Sequence, residues 1–251
     1  MSHEPTIVLI HGAFADASSW NGVVERLLQG GHHVVAPANP LRGVAADSVY
    51  IASYVSQIDG PTILVGHSYG GAVISNAASA AKNVLALVFV AAYAPENGET
   101  LGSAGANSKD SVLNSALVQR LYPTGKGAET APEFIVDPAK FHDAFASDVP
   151  EKQSAVMAAT QRPVAAAAFS DASGPPAWKS IPSWAVVAVG DKAAGTDVIR
   201  SMARRAAAKT VEIKGSHVIM VSQPQAVTDV ILEALQAVAK PVAGAGVRNK
   251  S

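Results

Sequence analysis

Residues 63–74 read ILVGHSYGGAVI: branched apolar residues, a serine set among glycines, then a helix-like stretch. A strand that turns directly into a helix forces the residue at the bend into a strained backbone conformation. Side chains two positions to either side collide there unless they are glycine. Gly66 and Gly70 hold those places in Gly66-His67-Ser68-Tyr69-Gly70, a G-x-S-x-G pattern. Such a turn leaves Ser68 projecting at the C-terminal end of its strand, the edge at which open α/β sheets bind ligands. The N–H of Tyr69 then opens the helix, where a developing oxyanion is stabilised. A dinucleotide loop needs G-x-G-x-x-G and fails here, because position 68 is serine.

The flanking segments set the architecture. TIVLIHG (6–12), HHVVAPA (32–38), PTILVGH (61–67), VLALVFVAAY (84–93), SWAVVAVGD (183–191) and KTVEIKG (209–215) are short and apolar on consecutive positions. That pattern suits strands covered by helices on both faces, hence a parallel sheet. Between them, DASSWNGVVERLLQGG starts on cap-forming residues, places Trp20, Val23, Val24, Leu27 and Leu28 on one face, and stops at Gly30-Gly31. AADSVYIASYVSQIDG and SYGGAVISNAASAA read as helices in the same way. The expected fold class is α/β, a mainly parallel sheet with right-handed crossovers.

The alternation breaks between about Pro95 and Pro182. The spacing there predicts helices, as in SVLNSALVQRLY and EKQSAVMAATQ, with no strand. A loop of that length is foreign to a compact domain unless it folds into something of its own. The expectation is therefore one domain over 1–251, with a core at about 5–94 and 181–238, a helical cap insertion at about 95–180 and a loose tail at 239–251.

Composition narrows the function classes. Nearly half the 251 residues are hydrophobic, 49%, enough to bury a sizeable core. With 19 basic and 20 acidic residues there is no broad positive field to hold nucleic acid or an anionic membrane surface. The absence of cysteine excludes disulfides, thiolate nucleophiles and sulfur-ligated metals. No His/Asp/Glu cluster has ligand spacing, so no metal or organic cofactor is implied. MSHEPTIVLI lacks the basic start and long apolar run of a signal peptide and reads as cytoplasmic. VLALVFVAAYA (84–94) is far short of the ~20 residues a membrane helix needs.

A serine hydroxyl is a poor nucleophile until a base removes its proton, and the base needs an orienting acid. Of the seven histidines, His3, His32 and His33 read as surface residues, His142 lies in the insertion among acids, and His67 adjoins the serine. His11 shapes the loop after the first strand. His217 follows the last strand in KTVEIKGSHVIMVSQPQAV, at the same sheet edge as Ser68. For the acid, Asp191 leaves the sheet at that edge in VAVGDKAAG. Its competitors are Glu96, just past VFVAAYAPE, and Asp197, a candidate helix cap. HGAFADASSW offers the Ala13 N–H as a second oxyanion donor beside that of Tyr69, with Phe14 as its nearest rival.

IVLIHGAFADASSW, ILVGHSYGGAVI and GSHVIMVSQPQAV together resemble the α/β-hydrolase superfamily. The likeness falls in the branch that holds small bacterial carboxylesterases, plant salicylate-ester hydrolases and hydroxynitrile lyases. It runs from about residue 5 to 238 and is weakest through the insertion. The resemblance implies a catalytic Ser68, Asp191, His217 triad, oxyanion donors at Ala13 and Tyr69, a helical cap and a small-molecule ester substrate. The chain departs from the pattern in two respects. Related proteins often carry proline five residues after the acid, where this chain has Thr196. The lyases are expected to carry a lysine straight after the histidine and a threonine in the first-strand loop, where this chain has Val218 and Gly12.

Ester hydrolysis is the expectation, with lactone or carbon–carbon bond hydrolysis, perhydrolysis, or ligand binding without turnover as alternatives on the same scaffold. Met157, VAAAAF (164–169) and Trp178 have few charges nearby. Lining a pocket they favour a mostly apolar ester of small or medium size, while their spacing equally suits the cap's own core.

Overall fold

The computed structural model describes residues 4–239. Strand β1 (Thr6–Ile10) runs into a loop and a 3-10 turn (Ala17–Trp20), whose start is capped by Asp16 accepting the Ser18 N–H. Helix α1 (Asn21–Gln29) follows, burying Val23 and Leu27 beside the buried Trp20 of the turn, whereas Leu28 points into solvent. Strand β2 is only Val34–Val35, shorter than the 32–38 run suggested, because Pro37 and Pro40 have no N–H to give a ladder. Then come α2 (Val44–Ser56), β3 (Thr62–His67), α3 (Tyr69–Ala78) and β4 (Val84–Val90). All six residues of β3 are buried, as its consecutive apolar residues Ile63, Leu64 and Val65 require.

The segment between Pro95 and Pro182 departs from the all-helical expectation. It holds α4 (Leu101–Gly105), a 3-10 turn (Leu113–Ala116), β5 (Leu117–Pro123), β6 (Thr130–Val136), α5 (Pro138–Phe145), α6 (Glu151–Thr160), β7 (Val164–Ala165) and α7 (Ala167–Ser170). Strands β5, β6 and β7 form a separate antiparallel sheet. The stretch SVLNSALVQRLY is therefore a 3-10 turn and a strand, while EKQSAVMAATQ is the helix its spacing predicts. Two reasons lie in the local chemistry. Pro123 and Pro132 exclude helix, and Gly125 and Gly127 adopt positive φ at the hairpin tip between β5 and β6.

The chain returns through β8 (Ser183–Val189), α8 (Thr196–Arg205), β9 (Lys209–Lys214), α9 (Ile219–Ser222) and α10 (Pro224–Ala239). The main sheet is wholly parallel in the order β2-β1-β3-β4-β8-β9. Helix α10 packs on β4, β8 and α1, and α3 packs on β1, β3, β4 and α2. Strand order reverses at β1, so the crevice between the C-terminal ends of β1 and β3 is the switch point where such sheets bind ligands. Register puts Ile10 beside Gly66, which sets the loop after β1 directly against Ser68. Ala239, the first residue of the expected tail, ends α10, while 240–251 and His3 lie outside the described residues. No described helix is long and apolar enough to cross a membrane.

Candidate active site

Ser68 sits between β3 and α3 with φ 52° and ψ −122°, a strained conformation that costs about 1–3 kcal/mol and is held by its surroundings. Its N–H donates to the Val90 carbonyl (3.2 Å), and its carbonyl accepts from the N–H groups of Gly71 (3.0 Å) and Tyr93 (3.1 Å). The flanking glycines are needed for space. A Cβ on Gly66 would stand 2.6 Å from the Gly70 carbonyl oxygen, and one on Gly70 2.6 Å from that of Ile10.

His217 follows β9. Its Nδ1–H donates to Asp191 Oδ2 at 2.8 Å, both residues being about 1% exposed. The other carboxylate oxygen of Asp191 accepts the N–H groups of Ala193 (2.9 Å) and Ala194 (3.0 Å), so the acid is fully employed. Glu96 lies elsewhere, accepting from Lys179 at 2.7 Å. Asp197 does not cap α8, whose N-cap is Gly195. It holds the neighbouring loop by accepting from Ser108 Oγ (2.7 Å) and the Lys109 N–H (2.8 Å).

Thr196 clamps the turn that carries Asp191. Its hydroxyl accepts the N–H groups of Gly190 and Asp191 (3.1 Å each) and donates to the Ala188 carbonyl (2.9 Å). Hydrogen bonds thus restrain a turn that a proline would restrain by fixing φ.

Two rings flank the His217 imidazole. Phe145, from α5, meets it edge-on with centroids 4.9 Å apart, and His67 lies 4.7 Å away on a tilt. The His67 Nε2–H donates to the His217 carbonyl (2.9 Å), leaving Nδ1 buried without a partner. Burial first, then the neighbouring His217, push the His67 ring well below the ordinary imidazole range, so it stays neutral. The Ser216 hydroxyl donates to Asp148 of the insertion.

His11 is equally buried and neutral. Its Nδ1–H donates to the Gly12 carbonyl (2.9 Å), and its Nε2 accepts the Asn39 N–H (2.9 Å). Burial is the main reason that its pKa falls to about 4. The loop it braces carries Ala13 and Phe14, and Phe14 holds an unusual φ of +58°. A Cβ on Gly12 would stand 2.7 Å from Ser68 Cβ, so this loop approaches the serine as closely as a backbone can. Tyr69 is the first residue of α3, where its N–H lacks an intrahelical acceptor. The Tyr69 phenol donates to Asp47 at 2.6 Å. Burial outweighs the hydrogen bonds to Asp47 and raises its pKa.

Ser68, His217, Ala13, Tyr69 and Phe14 line one chamber with only about 10 Å³ of free volume, closed by Phe145, Phe169 and Leu113. That is room for about one water molecule. A cavity of about 220 Å³ adjoins it, sharing Tyr93, Leu101, Leu113 and Phe169 with the chamber and continuing past Leu117 and Phe134. Among the described residues no hydrogen bond joins the Ser68 hydroxyl to the His217 ring, although both face this chamber. Met157 lines a separate groove of about 180 Å³ beside Phe14. Trp178 donates its indole N–H to the Pro95 carbonyl at 3.3 Å and so closes the base of the insertion.

A strand-to-helix serine beside a braced backbone loop, with a carboxylate-bound imidazole in the same chamber, is an arrangement suited to acyl transfer. Residues 7–230 match the model of the alpha/beta hydrolase family, and the chain belongs to that family. A carbendazim hydrolyzing esterase of Nocardioides sp. (strain SG-4G) is 31% identical over a stretch covering 38% of this chain and 44% of the relative, so the match spans less than half of that relative's length. Among solved structures, polyneuridine aldehyde esterase superposes with a TM-score of 0.77 at 19% identity, covering 92% of this chain and 99% of its own. The pyrethroid hydrolase PytH gives 0.75 at 20% identity, covering 94% and 99%. These two likenesses establish a shared fold.

Proposed function

We propose that this protein is a serine hydrolase that cleaves small to medium, mostly apolar carboxylic esters through an acyl-enzyme. Ser68 attacks the ester carbonyl carbon as His217 takes the hydroxyl proton. Asp191 holds the imidazole by its Nδ1–H and favours the cation that forms. The N–H groups of Ala13 and Tyr69 receive the negative charge that develops on the carbonyl oxygen. Losing one such donor typically costs ~10²–10³ in rate. His217 returns the proton to the departing alcohol. Water, deprotonated by the same ring, then releases the acid and restores Ser68. The insertion between β4 and β8 acts as the cap over this chamber.

The observation that carries the reading is the Asp191–His217 hydrogen bond at 2.8 Å opening onto the chamber that Ser68 also lines. Apolar substrates are favoured because the adjoining cavity is lined by Leu101, Leu113, Leu117, Phe134 and Phe169, with no charged side chain on its wall. Hydrolysis is favoured over cyanohydrin cleavage because position 12 has no space for a threonine beside Ser68, and Val218 is fully buried where a lysine is expected. Esterases among the relatives agree with this choice.

The test is fluorophosphonate labelling and turnover of short nitrophenyl esters by the wild type and Ser68→Ala. The expected result is labelling at Ser68 and a loss of turnover of about 10⁶-fold in the variant. Equal turnover in both proteins refutes the proposal.

A further inference from the structure

Tyr93 lies three residues beyond β4, and Ala91 between them takes the unusual φ of +44° that swings the chain toward the chamber. Its N–H is committed to the Ser68 carbonyl. Its phenol is a different matter. The side chain borders both the Ser68 chamber and the 220 Å³ cavity, and its oxygen lies 3.6 Å from where a Cβ on Gly105, itself on the cavity wall, would stand. Buried tyrosine hydroxyls ordinarily find a partner, as Tyr69 finds Asp47. The Tyr93 hydroxyl makes no hydrogen bond to any described residue, although the residue is only 9% exposed.

The other polar side chains on the cavity wall are Ser111 and Asn114. Ser111 spends its hydroxyl on the Ala193 carbonyl, and Asn114 is exposed to solvent. Among the described residues the cavity is therefore a largely apolar sleeve in which the Tyr93 hydroxyl is the buried donor left without a partner.

Resting on the serine hydrolase reading, we propose that the Tyr93 hydroxyl donates a hydrogen bond to a carbonyl oxygen carried by the substrate chain that fills this cavity. The preferred substrates are then esters bearing a second, unreactive carbonyl on an otherwise apolar arm. Burial, with Asp191 nearby, pushes the phenol's pKa up, so the group remains a proton donor across the assay range. A wall that offers a hydrogen bond discriminates against the plain hydrocarbon chain, because the donor is left unpaired when that chain binds.

The test compares methyl hexanoates carrying an oxo group at successive chain positions with methyl hexanoate. A second series walks the oxo group along the alcohol chain of alkyl acetates. The quantity read is kcat/KM for each oxo ester divided by that for its plain parent, in the wild type and in Tyr93→Phe. Dividing by the parent removes any general loss caused by the substitution.

The ratio is expected to fall by about five- to tenfold in the variant at one or two oxo positions of one series. A ratio unchanged at every position of both series overturns the inference. Absence of turnover on every ester by the wild type refutes the hydrolase reading instead. Calorimetric binding of hexanone against hexanediones then decides the role of Tyr93. A preference for a dione that disappears in Tyr93→Phe supports it, and no preference in the wild type overturns it. Thermal melting of both proteins confirms that each is folded.

Discussion

Acid should loosen this protein first at the loop that braces the serine. His11 is fully buried with a pKa of about 4 in the fold, against an ordinary value near 6.5. The unfolded chain therefore binds a proton between those values that the native state refuses. Stability is complete above pH 6.5 and drains away as the pH falls toward 4. Lowering the pH from 7 to 5 should remove about 2 kcal/mol through this residue alone, or roughly 4–8 °C in Tm for a chain of this size.

The geometry gives the route. Protonating Nε2 turns the acceptor of the Asn39 N–H into a donor, and the ring is expelled from between Gly12 and Asn39. His67, also held neutral, acts in the same direction. The raised pKa of Asp47 opposes both, because the fold then binds a proton that the unfolded chain releases. The lowered carboxylates Glu96, Asp197, Glu212 and Glu233 lose their stabilising effect only at lower pH, as they are protonated.

A double difference isolates His11. Glutamine at position 11 retains an acceptor for Asn39 but no titration, and every other group is common to both proteins. Urea unfolding of the wild type and His11→Gln at pH 7 and pH 5 should show the variant losing about 2 kcal/mol less over that interval. Equal losses in the two proteins would refute the buried, neutral histidine as the source.

Two further expectations follow from the site. Asp191→Asn should lower kcat by about 10⁴ with little change in folding. The Ala193 and Ala194 N–H groups keep the amide oxygen on their side, so the NH₂ faces His217 and imposes the wrong tautomer; single-turnover kinetics at neutral pH read the loss. Thr196→Val removes the clamp on the Asp191 turn and should cost roughly 2 kcal/mol in urea unfolding through unpaired buried groups, with Thr196→Ser restoring most of it.

How much of this was legible in the chain differs from element to element. The strands β1, β3, β4 and β8 were plain because a strand covered on both faces must be apolar without alternation, whereas β9, a mostly exposed edge strand, shows Val211 and Ile213 set apart by a polar residue. The β5–β6 hairpin was hidden because ALVQRLY suits helix and strand alike, and pairing with residues 130–136 decides between them. Asp47, Thr196 and Tyr93 carried no local signal, since a first-turn acid, a threonine after a turn and a tyrosine after a strand are ordinary wherever they occur. His67 was visible beside the serine, but its bond to the His217 carbonyl spans 150 residues.

The amino-acid sequence by itself determined the parallel α/β sheet, the strained serine turn with its two glycines, and the sheet edge at which Ser68, Asp191 and His217 emerge, because steric limits and burial act over a few neighbouring residues. Only the tertiary structure decided that His217 meets Asp191 while Glu96 meets Lys179, that Thr196 braces the acid's turn, and that one tyrosine hydroxyl faces the cavity unpaired. Those outcomes depend on strand register and on how the insertion packs over the sheet. Both are set by contacts between residues far apart in the chain, which local sequence does not encode.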